Sequence, residues 1–160
     1  VLIKSARKTV ESIIAQSLIT QTKTLYLDGW PASNEIKLPY PPLQEVTSVE
    51  YKPVNSNEYI VFENHYEVDT ISRPGRVVLK YGERWPNTTL SPVNPVKITY
   101  KCGFSSTAES VPASIRAAML LLISDLYENR SQIVIGESVS MINGMVDALL
   151  CQYRDWTFKV

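Results

Sequence analysis

The sequence predicts an α+β protein in which terminal α-helices flank an inserted antiparallel β-sheet. Apolar residues recur at helical spacing near both ends of the chain. Between the ends, residues 22–104 alternate apolar and polar side chains and are broken by turns that contain proline or glycine. A length of 160 residues is sufficient for a buried core. We therefore expect a single domain over residues 1–160.

The first element is an N-terminal helix over residues 1–18. One side of it carries apolar residues three and four positions apart, as an amphipathic helix requires. These residues are Ile3, Ala6, Val10, Ile13 and Ile14.

The central segment predicts several short strands. Alternation before the turn at Asp28-Gly29 gives the first, and a short extended piece precedes a proline-rich connection. Further strands are expected over Val46–Tyr51, on both sides of the Arg73-Pro74-Gly75 turn, and over Val96–Lys101. Pro39, Pro41 and Pro42 belong on an edge or in a connection, because proline cannot donate a ladder hydrogen bond.

Helical spacing returns over residues 111–130, where Pro112 suits a first helical turn. One apolar stripe runs along this helix, and Leu120 and Leu121 fall outside it. The helix is therefore apolar on more than one face. Either the rest of the monomer covers the second face, or a neighbouring copy does.

A loop is predicted over residues 131–143, followed by a helix over 144–155 and a tail over 156–160. The loop contains Gly136 and a single charge, Glu137, and is followed by Gly144; the tail contains Trp156 and Phe158. Aromatic side chains of this kind often anchor interfaces.

The charged residues balance overall, with 16 basic and 16 acidic side chains, but they are unevenly placed. Residues 28–69 carry two basic and eight acidic side chains, whereas residues 70–104 carry six basic and one acidic. The balance gives no support to non-specific nucleic-acid binding. The blocks are either a solvated surface or complementary faces through which copies of the chain meet.

Catalytic, cofactor and metal sites are not indicated. His65 is the only histidine, no nucleophile motif accompanies it, and a structural role is expected for it. A zinc site lacks ligands, and the six glycines form no phosphate-binding loop. Cys102 and Cys151 are expected to be reduced thiols, and no apolar run is long enough to cross a bilayer.

An ordered set of segments adds a resemblance. The sequence contains LPYPPLQEVTSVEY, YEVDTISRPGRVVL followed by WP, VKITYKCGF, VPASIRAAMLLLISDLYENR and ALLCQYR, in that order. From about Ile3 to Arg154 the chain resembles the head-tail connector (adaptor) proteins of tailed bacteriophages.

The resemblance implies a structural virion protein, not an enzyme, that needs no cofactor. Such proteins form a ring, typically dodecameric, beneath the portal protein. The ring extends the DNA channel used in genome packaging and ejection, and it docks a stopper or tail-completion protein. It would be assembled in the host bacterial cytoplasm and reside at the head-tail junction, without membrane contact or sequence-specific DNA binding. The alternatives are a stopper or head-completion protein, or a packaging accessory that binds duplex DNA.

Under this interpretation we assign three groups of candidate residues. The first group lies at the subunit interface: Leu120, Leu121, Tyr127, Glu128 and Arg130. The second docks on the portal or on a neighbour: Trp156 and Phe158. The third belongs to a channel loop: Ile133, Val134, Gly136 and Glu137.

Overall fold

The structure, a computed structural model, describes residues 1–128 and 137–157, with side chains described outside residues 137–143. The chain forms two compact units. A helical unit comprises Val1–Ile19 and Phe104–Val160, and a sheet unit comprises Thr20–Gly103. Helices flank an inserted antiparallel β region, so the predicted α+β class is confirmed. The unit boundaries lie within two residues of the predicted insertion, although we expected one domain over the whole chain.

The helical unit is built around its second helix, which packs against both of the others. Its core is closed by apolar side chains from all three helices and from the segments beside them. The helices are α1 (Leu2–Ile14), α2 (Ala113–Glu128) and α3 (Glu137–Leu150), with short 3₁₀ turns at Ala108–Ser110 and Cys151–Tyr153. The buried residues of the core are Val10, Ile14, Leu18, Val111, Ile115, Ala118, Val146 and Leu150.

The helix α1 ends earlier than the predicted residue 18. Ala15 adopts the left-handed conformation (φ 53°), which stops the helix, and the following residues run as a buried irregular segment. The Leu18 amide donates to Glu11 Oε1 at 2.9 Å, and Gln16 Nε2 donates to the carbonyl of Tyr153. The first bond satisfies a backbone amide that no longer has a helical acceptor, and the second ties the segment to the 3₁₀ turn at Cys151–Tyr153.

The helix α3 begins at Glu137, seven residues before the predicted start at 144. The expected loop over 131–143 is therefore wrong for residues 137–143. Apolar residue types at 139, 142, 146 and 149 follow helical spacing. Gly144 suggested a loop, but a glycine inside a helix costs only about 1 kcal/mol. Tertiary packing readily offsets a cost of that size.

The sheet unit contains two antiparallel sheets, where the sequence suggested one. Four strands are ordered β1-β7-β3-β4, and three are ordered β2-β6-β5. The strand β4 was not foreseen, because it has only two residues. The strands are β1 (Gln21–Leu27), β2 (Glu35–Lys37), β3 (Leu43–Tyr51), β4 (Ile60–Val61), β5 (Tyr66–Asp69), β6 (Arg76–Leu79) and β7 (Val96–Cys102).

The centre of the sheet unit is β7, which is flanked by strands on both sides. Val96, Ile98, Tyr100 and Cys102 on this strand alternate inward and are buried. The Tyr100 hydroxyl donates to the carbonyl of Pro39 at 2.9 Å, and burial raises the pKa of Tyr100. The same core contains side chains from both sheets, including Ile36, Leu43, Val49 and Val77.

Candidate assembly surfaces

Within residues 1–128 and 137–157, no cluster of three or more His, Cys, Asp and Glu side chains is arranged to hold a metal ion. No helix of the described chain combines the length and the apolar character needed to cross a membrane. Cys102 is buried and Cys151 is exposed, and neither forms a disulfide with a described residue.

His65 is held in a structural pair at the surface. Its Nδ1 lies 2.7 Å from Glu83 Oε2, and its ring stacks on Phe62 at a centroid distance of 5.0 Å. Phe62 also packs near Trp30 and Trp85, whose rings are stacked 4.8 Å apart. These contacts brace the histidine in an aromatic cluster, and neither a serine nor a cysteine is bonded to its ring.

The acidic and basic blocks meet largely inside the sheet unit. Glu50 on β3 accepts from Lys97 on β7 at 2.8 Å, and Glu45 lies 2.6 Å from Lys101 on the same two strands. The hydrogen bond from Lys97 lowers the pKa of Glu50. These two pairs between the acidic and the basic block thus form between neighbouring strands of one chain and not between copies.

A second set of pairs closes the β5–β6 hairpin. Asp69 accepts from Arg76 Nε at 3.0 Å, from the Ser72 hydroxyl at 2.6 Å, and from the amides of Ile71 and Ser72 at 3.0 Å. Arg76 also donates to Glu35 Oε2 at 2.7 Å. The bonds from Ser72 and then Arg76 hold the pKa of Asp69 far below its usual range. Four acidic side chains of residues 28–69 make no ion pair with a described residue: Asp28, Glu58, Glu63 and Glu67.

The outer face of α2 is exposed and partly apolar. Leu120 is 67% exposed and Tyr127 is 61% exposed. Both lie on the side that also bears Arg116, Ser124 and Glu128. The described monomer therefore leaves a face of this helix uncovered, one of the two outcomes that the sequence allowed.

The remaining candidate residues of the subunit interface, Leu121, Glu128 and Arg130, do not share one environment. Leu121 packs against the helical core of its own chain, so the exposed apolar face is narrower than expected. Glu128 is exposed and accepts a long hydrogen bond from Ser124 at 3.5 Å. Arg130 lies outside the described residues, as do Ile133, Val134 and Gly136 of the channel loop. The side chain of Glu137 is also outside the description, although its backbone begins α3.

The exposed tail residue Trp156 follows an anchored segment. The Asp155 amide donates to the carbonyl of Ile14 at 2.9 Å, which ties the end of the chain to α1. Trp156 is 70% exposed, and its ring lies 5.8 Å from the Arg154 guanidinium. The aromatic ring is therefore presented at the surface and not folded into the core. Phe158 lies outside the described residues.

An apolar groove on the helical unit was missed by sequence reasoning. It has a volume of about 410 Å³ and lies between the start of α1, the segment after it and the outer side of α2. The residues that line it are Ile3, Arg7, Leu18, Ile19, Ala108, Val111, Arg116, Met119, Leu120 and Ile123. We had placed Ile3 on the core stripe of α1, but it is 67% exposed at the edge of this groove.

Two arginines stand in the wall of the groove. Arg116 makes no ion pair with any described residue, and Arg7 lies 3.9 Å from Glu11, beyond hydrogen-bond distance. Arg7 Nε is buried and has no acceptor in the part of the chain that the structure describes. A buried donor without an acceptor is costly, so an acidic group that enters the groove would stabilise it by accepting a hydrogen bond from Arg7 Nε. The sequence signal was Arg116 itself, a lone charge inside an apolar run.

No protein-family model matches the sequence, and no curated protein matches it. Solved structures give a clear likeness of fold. A chain in the virion of a native gene transfer agent particle is similar with a TM-score of 0.78 and 21% identity, over 99% of this chain and 76% of that chain. The neck of the empty particle, computed with C6 symmetry, gives the same values. The neck of the native particle, computed with C12 symmetry, gives a TM-score of 0.77 and 22% identity, over 99% of this chain and 81% of that chain. The chain therefore shares its fold, along nearly its whole length, with a chain found in gene transfer agent particles.

Proposed function

We propose that the protein is a structural component of the neck of a phage-like particle. It acts there as a head-tail connector that forms a ring beneath the portal. The observation that carries the proposal is the likeness of fold over 99% of the chain to structures of gene transfer agent necks. The ordered sequence segments that resemble phage connectors point to the same role independently.

The surface chemistry agrees with an assembly role. Leu120 and Tyr127 expose apolar area on α2, and area of this kind is typical of sites of protein–protein contact. Glu128 lies beside them, and we assign Leu120, Leu121, Tyr127, Glu128 and Arg130 to contacts between subunits. In a closed ring, each such contact is repeated by every copy.

We assign the tail, residues 156–160, to docking on the portal or on an adjacent subunit. Trp156 presents an exposed ring on a segment that is fixed to α1, so little conformational freedom would be lost when it binds. We propose that Trp156, with Phe158, contacts the portal or an adjacent subunit. Deleting residues 155–160 would also remove the bond from Asp155 to Ile14, so Trp156→Ala is the cleaner variant.

The channel is proposed to hold DNA weakly. A duplex that must slide is best surrounded by a neutral or acidic lining, because each lysine or arginine contact to phosphate adds affinity. The segment that contains Ile133, Val134, Gly136 and Glu137 remains our candidate for this lining. It contains no lysine or arginine from 131 to 143.

Analytical ultracentrifugation with and without the portal protein of the same particle tests the role. We expect monomers or rings of variable copy number alone, and a defined ring on the portal. Trp156→Ala should lower attachment to the portal, whereas Ile71→Ala, at a site that is even more exposed, should not. A stable dimer that ignores the portal contradicts the proposal. Duplex binding that weakens steeply as salt rises would instead support the packaging accessory.

A further inference from the structure

The groove on the helical unit is an apolar surface that the described residues leave open. Its lining is almost entirely apolar apart from Arg7 and Arg116. Ile3 and Leu120, at its edge, are each 67% exposed. An occupant must therefore bring apolar side chains to the floor and carboxylates to the two guanidinium groups.

The sheet unit carries a surface of the opposite character. The strand β4 is an edge strand, and both of its residues are exposed, Ile60 by 44% and Val61 by 50%. Glu58 and Glu63 flank it and are exposed. Neither makes an ion pair with any described residue. We call residues 58–63 the acidic edge.

We infer that the groove of one copy binds the acidic edge of a second copy. Ile60 and Val61 supply the apolar side chains, and Glu58 and Glu63 supply carboxylates to Arg7 and Arg116. The inference deepens the proposed function and rests on it, because it names the contact that joins subunits of the ring.

The chemistry of both surfaces supports this occupant. Most other acidic groups of the sheet unit are already engaged: Glu35, Glu45, Glu50 and Asp69 with basic side chains of the same unit, and Asp28 with the Asn94 amide. The acidic edge combines two unpaired carboxylates with two exposed aliphatic side chains in one short segment, whereas β5 offers one unpaired carboxylate, Glu67, beside one aliphatic side chain, Val68, that is 37% exposed. A phosphate backbone would suit the arginines but would leave the apolar floor uncovered.

The contact is heterologous, since a groove and an edge are different surfaces. Each copy then offers one groove and one edge, and successive copies join head to tail. Such a chain of copies closes into a ring when the rotation between neighbours divides a full turn. A single type of contact is sufficient for assembly.

Charge reversal provides the first test. Arg116→Glu and Glu63→Arg should each lower the association constant between copies at least roughly tenfold, because each places like charges together. The two reversals in one chain should restore much of the association. Lys8→Glu is the matched control, since Lys8 is an exposed cation of α1 that does not line the groove.

The second test blocks the groove in one variant and the acidic edge in another, and it measures their association by sedimentation equilibrium. Leu120→Glu blocks the groove and leaves the edge, whereas Ile60→Glu blocks the edge and leaves the groove. Each variant alone should be monomeric, and an equal mixture should form 1:1 dimers and nothing larger. Ile71→Glu, at an exposed hairpin residue of the same unit, should assemble as the unmodified protein does. Circular dichroism of each variant verifies that it is folded.

The outcomes separate this inference from the proposed function. Unmodified protein that assembles, while the reversed and blocked variants assemble equally well, overturns the inference and leaves the connector role in place. Loss of association in Arg116→Glu that is restored neither by Glu63→Arg nor by Glu58→Arg also overturns it. Absence of self-association with and without portal overturns both. Restoration by the double reversal, together with 1:1 dimers in the mixture, supports it.

Discussion

The sheet unit and the helical unit use their charged side chains in different ways. In the sheet unit, Lys97 and Lys101 on β7 pair with Glu50 and Glu45 on β3. In the helical unit, Arg116 has no ion-pair partner among the described residues. The lysines of β7 thus pair with a neighbouring strand of the same unit, whereas Arg116 lies beside an open apolar groove. The contrast concerns these side chains and not the whole units, because Arg154 pairs with Asp147 within the helical unit, and Glu58 and Glu63 of the sheet unit make no ion pair with a described residue.

The largest expected effect comes from the core of the helical unit. Ile115 is fully buried, so Ile115→Ala should lower the free energy of unfolding by about 2–5 kcal/mol through lost burial and a cavity. Leu120→Ala, one and a half turns along the same helix, should change it by less than about 0.5 kcal/mol, because Leu120 is exposed. Urea unfolding followed by circular dichroism measures both. A large loss for Leu120→Ala would mean that this face is internal support and not an open surface.

The next effect concerns the hairpin held by Asp69. The pKa of its carboxyl is lowered in the folded state, mainly by the bonds from Ser72. Its stabilising contribution is therefore fully present above the unfolded pKa of about 4, and it is lost as the pH falls through the folded value. Asp69→Asn should lower the melting temperature at neutral pH and flatten its dependence on pH below about 4.

Glu67→Gln is the control for Asp69→Asn, since Glu67 lies on the same strand, is exposed and has no ion pair among the described residues. It should leave the melting temperature at neutral pH nearly unchanged. Equal acid sensitivity in Asp69→Asn and the unmodified protein would show that the hairpin bonds do not act through the ionised carboxylate.

A smaller effect is expected for the cross-strand pair of Glu50 and Lys97. A double-mutant cycle with Glu50→Gln and Lys97→Met should give a coupling energy of about 0.2–1 kcal/mol, because both side chains remain partly exposed. The coupling should shrink at high salt, where surface charges are screened. A coupling energy of zero at low salt would weaken the contrast between the paired Lys97 of the sheet unit and the unpaired Arg116 of the helical unit.

The smallest effect on stability is expected at Glu128. Glu128→Lys should leave the melting temperature of the monomer nearly unchanged, because Glu128 is exposed and accepts only a long bond from Ser124. It should nevertheless lower ring formation, if Glu128 meets a basic group of a neighbouring copy. Ser124→Ala removes the same internal bond without reversing charge, and it should leave assembly intact. Unfolding of the Glu128→Lys monomer would instead make this residue an internal brace.

Much of the fold was predictable because its signals are local. Helical spacing marked α1 and α2, the Arg73-Pro74-Gly75 turn marked the β5–β6 hairpin, and alternation marked β7. Less local features were missed. The strand β4 has only two residues, which pair with Glu50 and Tyr51 of β3. A segment this short shows no alternation of apolar and polar residues from which a strand could be predicted. The early start of α3 was missed because Gly144 outweighed the apolar spacing in our interpretation.

The candidate surfaces also include one that local sequence predicted and one that it did not. Leu120 was recognised from its place outside the apolar stripe, and the structure leaves it exposed. The groove was not recognised, because its lining comes from α1, the segment after it and α2, which are far apart in the sequence. The complementary charge blocks were visible, but whether they pair within or between copies depends on which strands are neighbours.

The sequence by itself determined the α+β class, the order of helices around a β-rich insertion, and the excess of apolar residues on α2. These follow from residue spacing, which acts over a few neighbouring positions. Only the tertiary structure decided that Lys97 pairs with Glu50 in the same chain while Arg7 and Arg116 face an open groove. Charge attraction depends on distance in space, and the distance between residues far apart in sequence is set by strand order and helix packing.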